Sequence, residues 1–169
     1  IVKNKDQVIQ FNDNFEEIKG KMELCVKDFY GKILYEKNSE VAVKPNSSLT
    51  YLRLTDDELK TINKNECYIS CKLFTDSNTV KKTLYYFVSP KELKLPKPDL
   101  DIKYADEFGN VKFKSKSLVK NLYIKDLGFT ERNYFDIEPG EEIEITVMPF
   151  GKTGQKLTFI SLYDILSQQ

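Results

Sequence analysis

Residues Glu142 to Val147 read Glu-Ile-Glu-Ile-Thr-Val. Apolar and polar residues alternate there with a period of two, the signature of a strand with one buried face and one wet face. Ile143, Ile145 and Val147 point inward, and Glu142 and Glu144 point to water. Asn110 to Lys116 (NVKFKSK) repeats the pattern with Val111 and Phe113 inside. Long helical periodicity is nearly absent from the rest of the chain, so short strands between turns are the expected currency of the fold.

Working outward, the first half predicts strands near Gln7 to Asn12, Lys21 to Lys27, Lys32 to Glu36, Glu40 to Lys44, Ser48 to Leu54, Glu66 to Phe74 and Val80 to Val88. Seven strands at this spacing suggest a sandwich. Breaks are expected at Tyr30-Gly31, Lys37-Asn38-Ser39, Pro45-Asn46-Ser47 and Asp76-Ser77-Asn78, all of which accept tight or left-handed backbone. Thr55 followed by Glu58 is a capping-box pattern that one helical turn satisfies. The second half predicts strands near Leu100 to Asp106, Asn110 to Lys116, Val119 to Lys125, Glu141 to Met148 and Gln155 to Leu162, with a hairpin turn at Phe108-Gly109. Its core is expected to lean on Phe113, Leu122, Phe135, Ile143, Ile145, Leu157 and Phe159. Between the halves, Pro90, Pro96 and Pro98 withhold backbone donors and stiffen the chain into an extended form. The reading is therefore all-β: two immunoglobulin-like antiparallel β-sandwich domains in tandem, over residues 1–90 and 99–169, joined by a proline-rich linker at 91–98.

The 169 residues carry 26 basic and 26 acidic side chains, and each half, divided after Glu92, lies within one charge of neutrality. Neither looks like a nucleic-acid binder. Lys81, Lys82, Lys112, Lys114 and Lys116 read as the wet faces of strands, where lysine also discourages edge pairing. No run approaches the roughly 18 apolar residues of a membrane helix, so no membrane partner is expected. There is neither a signal-peptide pattern nor an initiating Met, and a chain that begins Ile1-Val2-Lys3 reads as a fragment of something longer. Its localisation is unknown from these residues; periplasmic, secreted and lysosomal addresses all stay open for a parent. Cys25, Cys67 and Cys71 are too few for a disulfide scaffold. Parity places Cys71 inside and Cys25 outside, which argues against an inter-sheet disulfide.

Chemistry is hard to find. The chain has no His, which removes the Ser-His-Asp and Cys-His arrangements and the commonest metal ligand together. Cys67 and Cys71 alone make a poor zinc signal. The carboxylate pairs Asp56-Asp57, Asp99 with Asp101, Asp106-Glu107 and Glu141-Glu142 fall at turns, where they face water rather than converge on a cleft. No phosphate-cradling glycine motif occurs. No catalytic, metal or cofactor site is assigned. Ten Tyr and eleven Phe exceed what two small cores require, and Tyr30, Tyr35, Tyr86 and Tyr104 are the rings whose exposure would bear on sugar stacking.

Two stretches are specific. Leu84-Tyr85-Tyr86-Phe87-Val88-Ser89-Pro90-Lys91-Glu92-Leu93-Lys94-Leu95-Pro96-Lys97-Pro98 resembles the junction between the last two domains of the β-mannosidases of glycoside hydrolase family 2. Asn133-Tyr134-Phe135-Asp136-Ile137-Glu138-Pro139-Gly140-Glu141 resembles that family's Asp-Asn-Tyr-Phe-Asp-Leu-x-Pro-Gly-Glu signature, with Arg132 where Asp is usual and Thr130-Glu131 in place of Ser. The ending Ile160-Ser161-Leu162-Tyr163 is similar to how such enzymes finish. The resemblance marks Pro90, Leu93, Leu95, Pro96, Asn133, Tyr134, Phe135, Asp136, Pro139 and Gly140 as structural motif residues. It implies a parent that is a retaining, exo-acting glycosidase of terminal β-mannosides. Its two catalytic glutamates would lie in a preceding (β/α)8 barrel of the same chain, the expected partner of these domains, with oligomer contacts as a second. Three functions follow for the piece itself: a structural accessory, a carbohydrate-binding module, or a cell-surface interaction pair unrelated to hydrolysis.

Overall fold

The computed structural model describes residues 2–4, 7–12, 15–75, 80–104, 109–125, 129–148 and 158–168. Strands β1 (Val2–Asn4), β2 (Gln7–Asn12), β3 (Ile18–Asp28), β4 (Ile33–Val43), β5 (Ser47–Arg53), β6 (Cys67–Thr75) and β7 (Val80–Tyr86) precede the junction. Strands β8 (Leu100–Tyr104), β9 (Asn110–Ser115), β10 (Val119–Lys125), β11 (Phe129–Thr130), β12 (Phe135–Ile137), β13 (Glu142–Met148) and β14 (Thr158–Ile160) follow it, ahead of the short helix α1 (Leu162–Leu166). The backbone clusters into two compact units. One comprises Ile1–Asp28 and Lys32–Ser89, and the other Pro90–Gln169 with Phe29–Gly31. The protein is all-β, two antiparallel immunoglobulin-like sandwiches.

In the first unit the sheet order β4-β3-β6-β7 faces β1-β2-β5. The spine is β3, which pairs with β4 from Ile18 opposite Val43 to Lys27 opposite Ile33, and with β6 from Gly20 opposite Thr75 to Asp28 opposite Cys67. Its alternation does what the pattern dictates: Met22, Leu24 and Val26 join Val41, Leu52, Leu54, Leu59, Ile69 and Leu73 in one core. Gly20 is required by close approach, because a Cβ there would lie 2.0 Å from the Phe74 carbonyl oxygen. The expected break at Lys37-Asn38-Ser39 does not occur. These residues stand opposite Leu24, Glu23 and Met22 inside an unbroken ladder, and the Asn38 amide satisfies itself on the Glu36 carboxylate at 3.0 Å. A polar tripeptide inside a strand, with Asn38 on the wet face and Lys37 and Ser39 half-buried on the other, thus resembles a turn in sequence without being one. The turns at Tyr30-Gly31 and Pro45-Asn46-Ser47 are present, with left-handed backbone at Gly31 and Asn46, while Asp76-Ser77-Asn78 lies outside the described residues.

In the second unit β12-β10-β14 faces β11-β13-β9-β8. Phe113, Leu122, Phe135 and Ile145 are buried as expected, joined by Val111, Val119, Ile124, Ile137 and Val147, with Ile143 and Phe159 packed on the margin. The Phe113 ring meets Phe135 and Phe159 edge-on, at centroid distances of 5.9 and 5.5 Å. Leu157 and Phe108 lie outside the described residues; Gly109 has the left-handed φ, 95°, that a hairpin turn uses. Two expectations change. The strand predicted to run to Leu162 stops at Ile160, because Ser161 caps α1: its N–H and hydroxyl both donate to Asp164, at 2.8 and 2.7 Å. The proline-rich junction is not uniformly extended, since Pro90–Glu92 forms one 3-10 turn closed by the Leu93 N–H on the Pro90 carbonyl at 3.3 Å. Proline suits the start of such a turn, where its missing N–H is not needed. Strands β1, β11 and β12 were not foreseen; β11 and β12 have two and three residues, too few for period two to register.

Candidate functional site

The motif Asn133–Gly140 is built against β10. Leu122 opposes Phe135 and Val119 opposes Ile137, with an irregularity between them. Asn121 adopts φ 52° at that irregularity, which turns its N–H out of the ladder. The Asp136 carboxylate takes that N–H at 2.8 Å, and its other oxygen lies 3.7 Å from the Lys120 ammonium in a largely buried pair. Beyond the end of β12, the Asn133 side chain completes the edge: its Oδ1 accepts the Ile124 N–H at 2.8 Å and its Nδ2 reaches the Ile124 carbonyl at 3.5 Å. Asparagine presents one acceptor and two donors in the spacing of a peptide group, so it stands in for a strand residue. Pro139-Gly140 then turns the chain into β13. Gly140 has φ 79° and donates its N–H to the Ser115 carbonyl at 2.8 Å, while Glu141 accepts the Glu138 N–H at 3.0 Å.

Between these clamps Tyr134 and Phe135 part to opposite faces. Phe135 is buried, with the Arg132 guanidinium 5.6 Å from its ring centroid. Tyr134 is 67% exposed on a left-handed backbone of φ 55°. Its ring lies against Tyr123 at 5.0 Å between centroids and 20° between planes, an offset stack. Sequence reasoning marked Tyr134 through the motif and missed Tyr123; the signal was its parity on β10, opposite in phase to Leu122 and Ile124.

The other motif residues do not join this cluster directly. Pro90 is exposed, Leu93 is buried, and Leu95 and Pro96 are half-buried along the junction. The junction and the Asn133–Gly140 motif share a neighbour in the bend after β9, where the Ser117 hydroxyl reaches the Lys97 carbonyl at 3.5 Å. Of the four tyrosines marked for exposure, Tyr30 and Tyr104 are exposed, and Tyr35 and Tyr86 are half-buried.

The exposed carboxylates lie against lysines. Asp56 pairs with Lys64, Asp99 with Lys116 and Asp101 with Lys103, at 3.5, 3.0 and 3.3 Å, and Glu142 and Glu144 share Lys112 at 3.7 and 3.6 Å; Asp106 and Glu107 lie outside the described residues. Glu58 is strongly perturbed. It accepts hydrogen bonds from the Tyr35 hydroxyl, from Lys37 at 2.9 Å and from the Thr55 N–H at 2.7 Å, which together hold its carboxyl down at about 2. The Glu58 N–H returns to the Thr55 hydroxyl at 3.3 Å, completing the capping box on the turn that follows β5. With the Thr55 hydroxyl as a fourth donor at 3.1 Å, a carboxylate so pinned in its ionised form is a lock, unsuited to taking up protons near neutrality. Burial pushes the thiols of Cys67 and Cys71 up to about 11 and raises that of Cys25, so none is an activated nucleophile. Among the described residues no group of Cys, Asp and Glu is placed to hold a metal ion, and no helix is long and apolar enough to cross a membrane.

A family model described as Mannosidase Ig/CBM-like domain matches residues 6–92, more than half of the chain. Among solved structures the chain is similar to the β-D-mannosidase from Dictyoglomus thermophilum, with 22% identity and a TM-score of 0.67 over 92% of this chain and 20% of that one. It is also similar to the exo-chitosanase from Amycolatopsis orientalis, with 11% identity and a TM-score of 0.59 over 82% of this chain and 22% of the other. At such identities the likeness is one of fold. The chain spans about one fifth of the length of these proteins. No curated protein sequence matches it.

Proposed function

The chain belongs to the Mannosidase Ig/CBM-like domain family through residues 6–92, and from that premise we propose that it is the non-catalytic, structural end of a β-mannosidase-like glycoside hydrolase of family 2. Residues 1–90 would be the penultimate domain, 91–98 the linker and 99–169 the last domain. The catalytic (β/α)8 barrel would precede them in the parent chain and cleave terminal β-mannosides. The observation that carries the reading is the family match to the first sandwich within a two-sandwich architecture that aligns over 92% of the chain with a β-D-mannosidase. Asp56, Asp99, Asp101, Glu142 and Glu144 each lie against a lysine on an exposed surface, which supports an accessory role, since a retaining glycosidase needs two carboxyl groups that converge across the sugar.

The purified chain is expected to leave p-nitrophenyl β-mannoside intact, while the longer parent protein turns it over. Turnover by the chain alone would overturn the structural role. A parent gene product that encodes no barrel upstream of Ile1 would overturn the glycosidase assignment.

A further inference from the structure

The Tyr123–Tyr134 stack is too constrained to be an incidental surface contact. Left-handed backbone is unfavourable for any residue but glycine, and an aromatic there is an outlier in need of a reason. Tyr134 is held in that conformation from both sides, by Asn133 on the Ile124 peptide and by Asp136 on the Asn121 N–H. One face of its ring rests on Tyr123, so its 67% exposure comes from the opposite face and the phenol edge. Neither phenol has a hydrogen-bond partner among the described residues. The result is a rigid, outward-facing ring backed by a second ring, with two hydroxyls at its rim.

The patch selects its occupant by size and polarity. Lys125, Glu131 and Arg132, the nearby residues along the chain, are exposed and charged; opposite Tyr123 on β14 stands Ile160, half-buried, so Tyr134 is the ring that projects from the patch. A single projecting ring with charged neighbours offers the area of one sugar ring rather than the roughly 800 Å² per partner of a stable protein interface. In a β-linked hexopyranose the axial C–H bonds cluster on one face, which is apolar and faintly positive. That face is complementary to the electron-rich face of an aromatic ring, and the equatorial hydroxyls extend to where phenol groups can donate or accept. Fixing the ring in advance removes the cost of ordering it on binding.

We propose that Tyr134, stacked on Tyr123, is a surface binding site for one β-linked hexopyranosyl unit of a mannan-type polysaccharide. The choice of sugar rests on the glycosidase reading above; the ring geometry does not. Gel retardation of the 169-residue chain in soluble β-mannan, with calorimetry against manno-oligosaccharides, tests it. Wild type is expected to be retarded and to bind saturably. Tyr134→Ala should raise the dissociation constant about ten-fold or more, the worth of one aromatic stack. Tyr134→Phe should stay within a few-fold, and Tyr104→Ala, at another exposed tyrosine, should bind as wild type. Tyr134→Asn, which accepts left-handed backbone, provides a second truncation if the alanine variant is misfolded by circular dichroism. Absence of saturable binding, or equal binding by Tyr134→Ala and Tyr134→Asn, overturns the proposal and leaves the structural role standing. Self-association that depends on Tyr134 without sugar would assign the rings to a protein contact and overturn it as well. Sugar binding by a chain whose parent lacks a barrel would retain the site and remove the glycosidase.

Discussion

In the first sandwich β3 runs eleven residues and is paired along nearly its whole length on both sides, around a core of Met, Leu, Val, Ile and two buried cysteines. In the second, β9 is likewise paired on both sides, with β13 and β8, but β10, the middle strand of the opposing sheet, has seven residues, meets β12 at two positions separated by an irregularity and β14 at three, and the core closes with three phenylalanines. The difference shows two ways of specifying one architecture. A long ladder satisfies its backbone groups by repetition and tolerates many polar residues on its wet face. A short ladder leaves peptide groups over, and each needs a particular side chain: Asn133 for Ile124, Asp136 for Asn121, Asp164 for Ser161. Buried backbone groups without partners are costly, so these side chains are the least exchangeable polar residues in the unit.

The comparison breaks most readily at the aromatic interlock. Phe113→Ala removes the ring that both Phe135 and Phe159 abut, and is expected to cost roughly 3–5 kcal/mol. Leu24→Ala in the first core should cost about 2–5 kcal/mol, offset in part because neighbours along a continuous aliphatic ladder can close on the gap. Denaturant unfolding followed by residue-resolved NMR would separate the two. If the concentrated aromatic core of the second sandwich is its main support, Phe113→Ala lowers the midpoint for the signals of β9 and β13 well before those of β3 and β6. Equal sensitivity of both sets to either substitution would sink the contrast.

A sharper test lies at the side-chain substitute for a strand. Asn133→Ala strands the Ile124 N–H and carbonyl together, with an expected cost of about 1–3 kcal/mol. Asn133→Asp keeps the acceptor for the N–H but sets a second carboxylate oxygen, an acceptor only, against the Ile124 carbonyl that Nδ2 reaches at 3.5 Å, so it should recover only part of that loss. Hydrogen exchange at the Ile124 amide reads the effect directly: fast in Asn133→Ala, slow in wild type. Protection unchanged in Asn133→Ala would mean that the ladder, and not the side chain, holds this edge.

The same contrast governs what was legible in the sequence. Period two over Glu142 to Val147 and Asn110 to Lys116 gave the strands and their inward residues, because each is long enough to show several alternations. The split at Lys37-Asn38-Ser39 was misread because turn propensity is local, whereas these residues are held by pairing with β3 at a distance. β11 and β12 were invisible for the opposite reason: they are too short to alternate, and long-range partners define them. Asn133 and Asp136 were marked as motif residues without a role, since sequence does not say which peptide group a side chain will complete. Tyr123 went unmarked because its contact with Tyr134 exists only once β10 and the loop before β12 are brought together.

The first sandwich has one side-chain lock of its own, and it predicts the smallest effect. Glu58 sits on the turn after β5, where it binds the Thr55 N–H and meets Tyr35 and Lys37 on β4. Folding lowers its pKa from the ordinary 4.5 to about 2, so the ionised form is the one the fold favours. Its stabilisation is complete above the unfolded value and is lost as pH falls through the folded one. The window therefore opens near 4.5 and closes near 2. Glu58→Gln, which keeps the shape and discards the charge, should be less stable than wild type at about pH 6 and converge on it as the medium is acidified through that window. Thermal midpoints of the two proteins over this range measure the gap. Because the carboxylate is partly exposed and its lysine pair is screened by water, a gap that persists unchanged to the acid end would show that the hydrogen-bonded shape of the turn, and not its charge, ties β5 to β4.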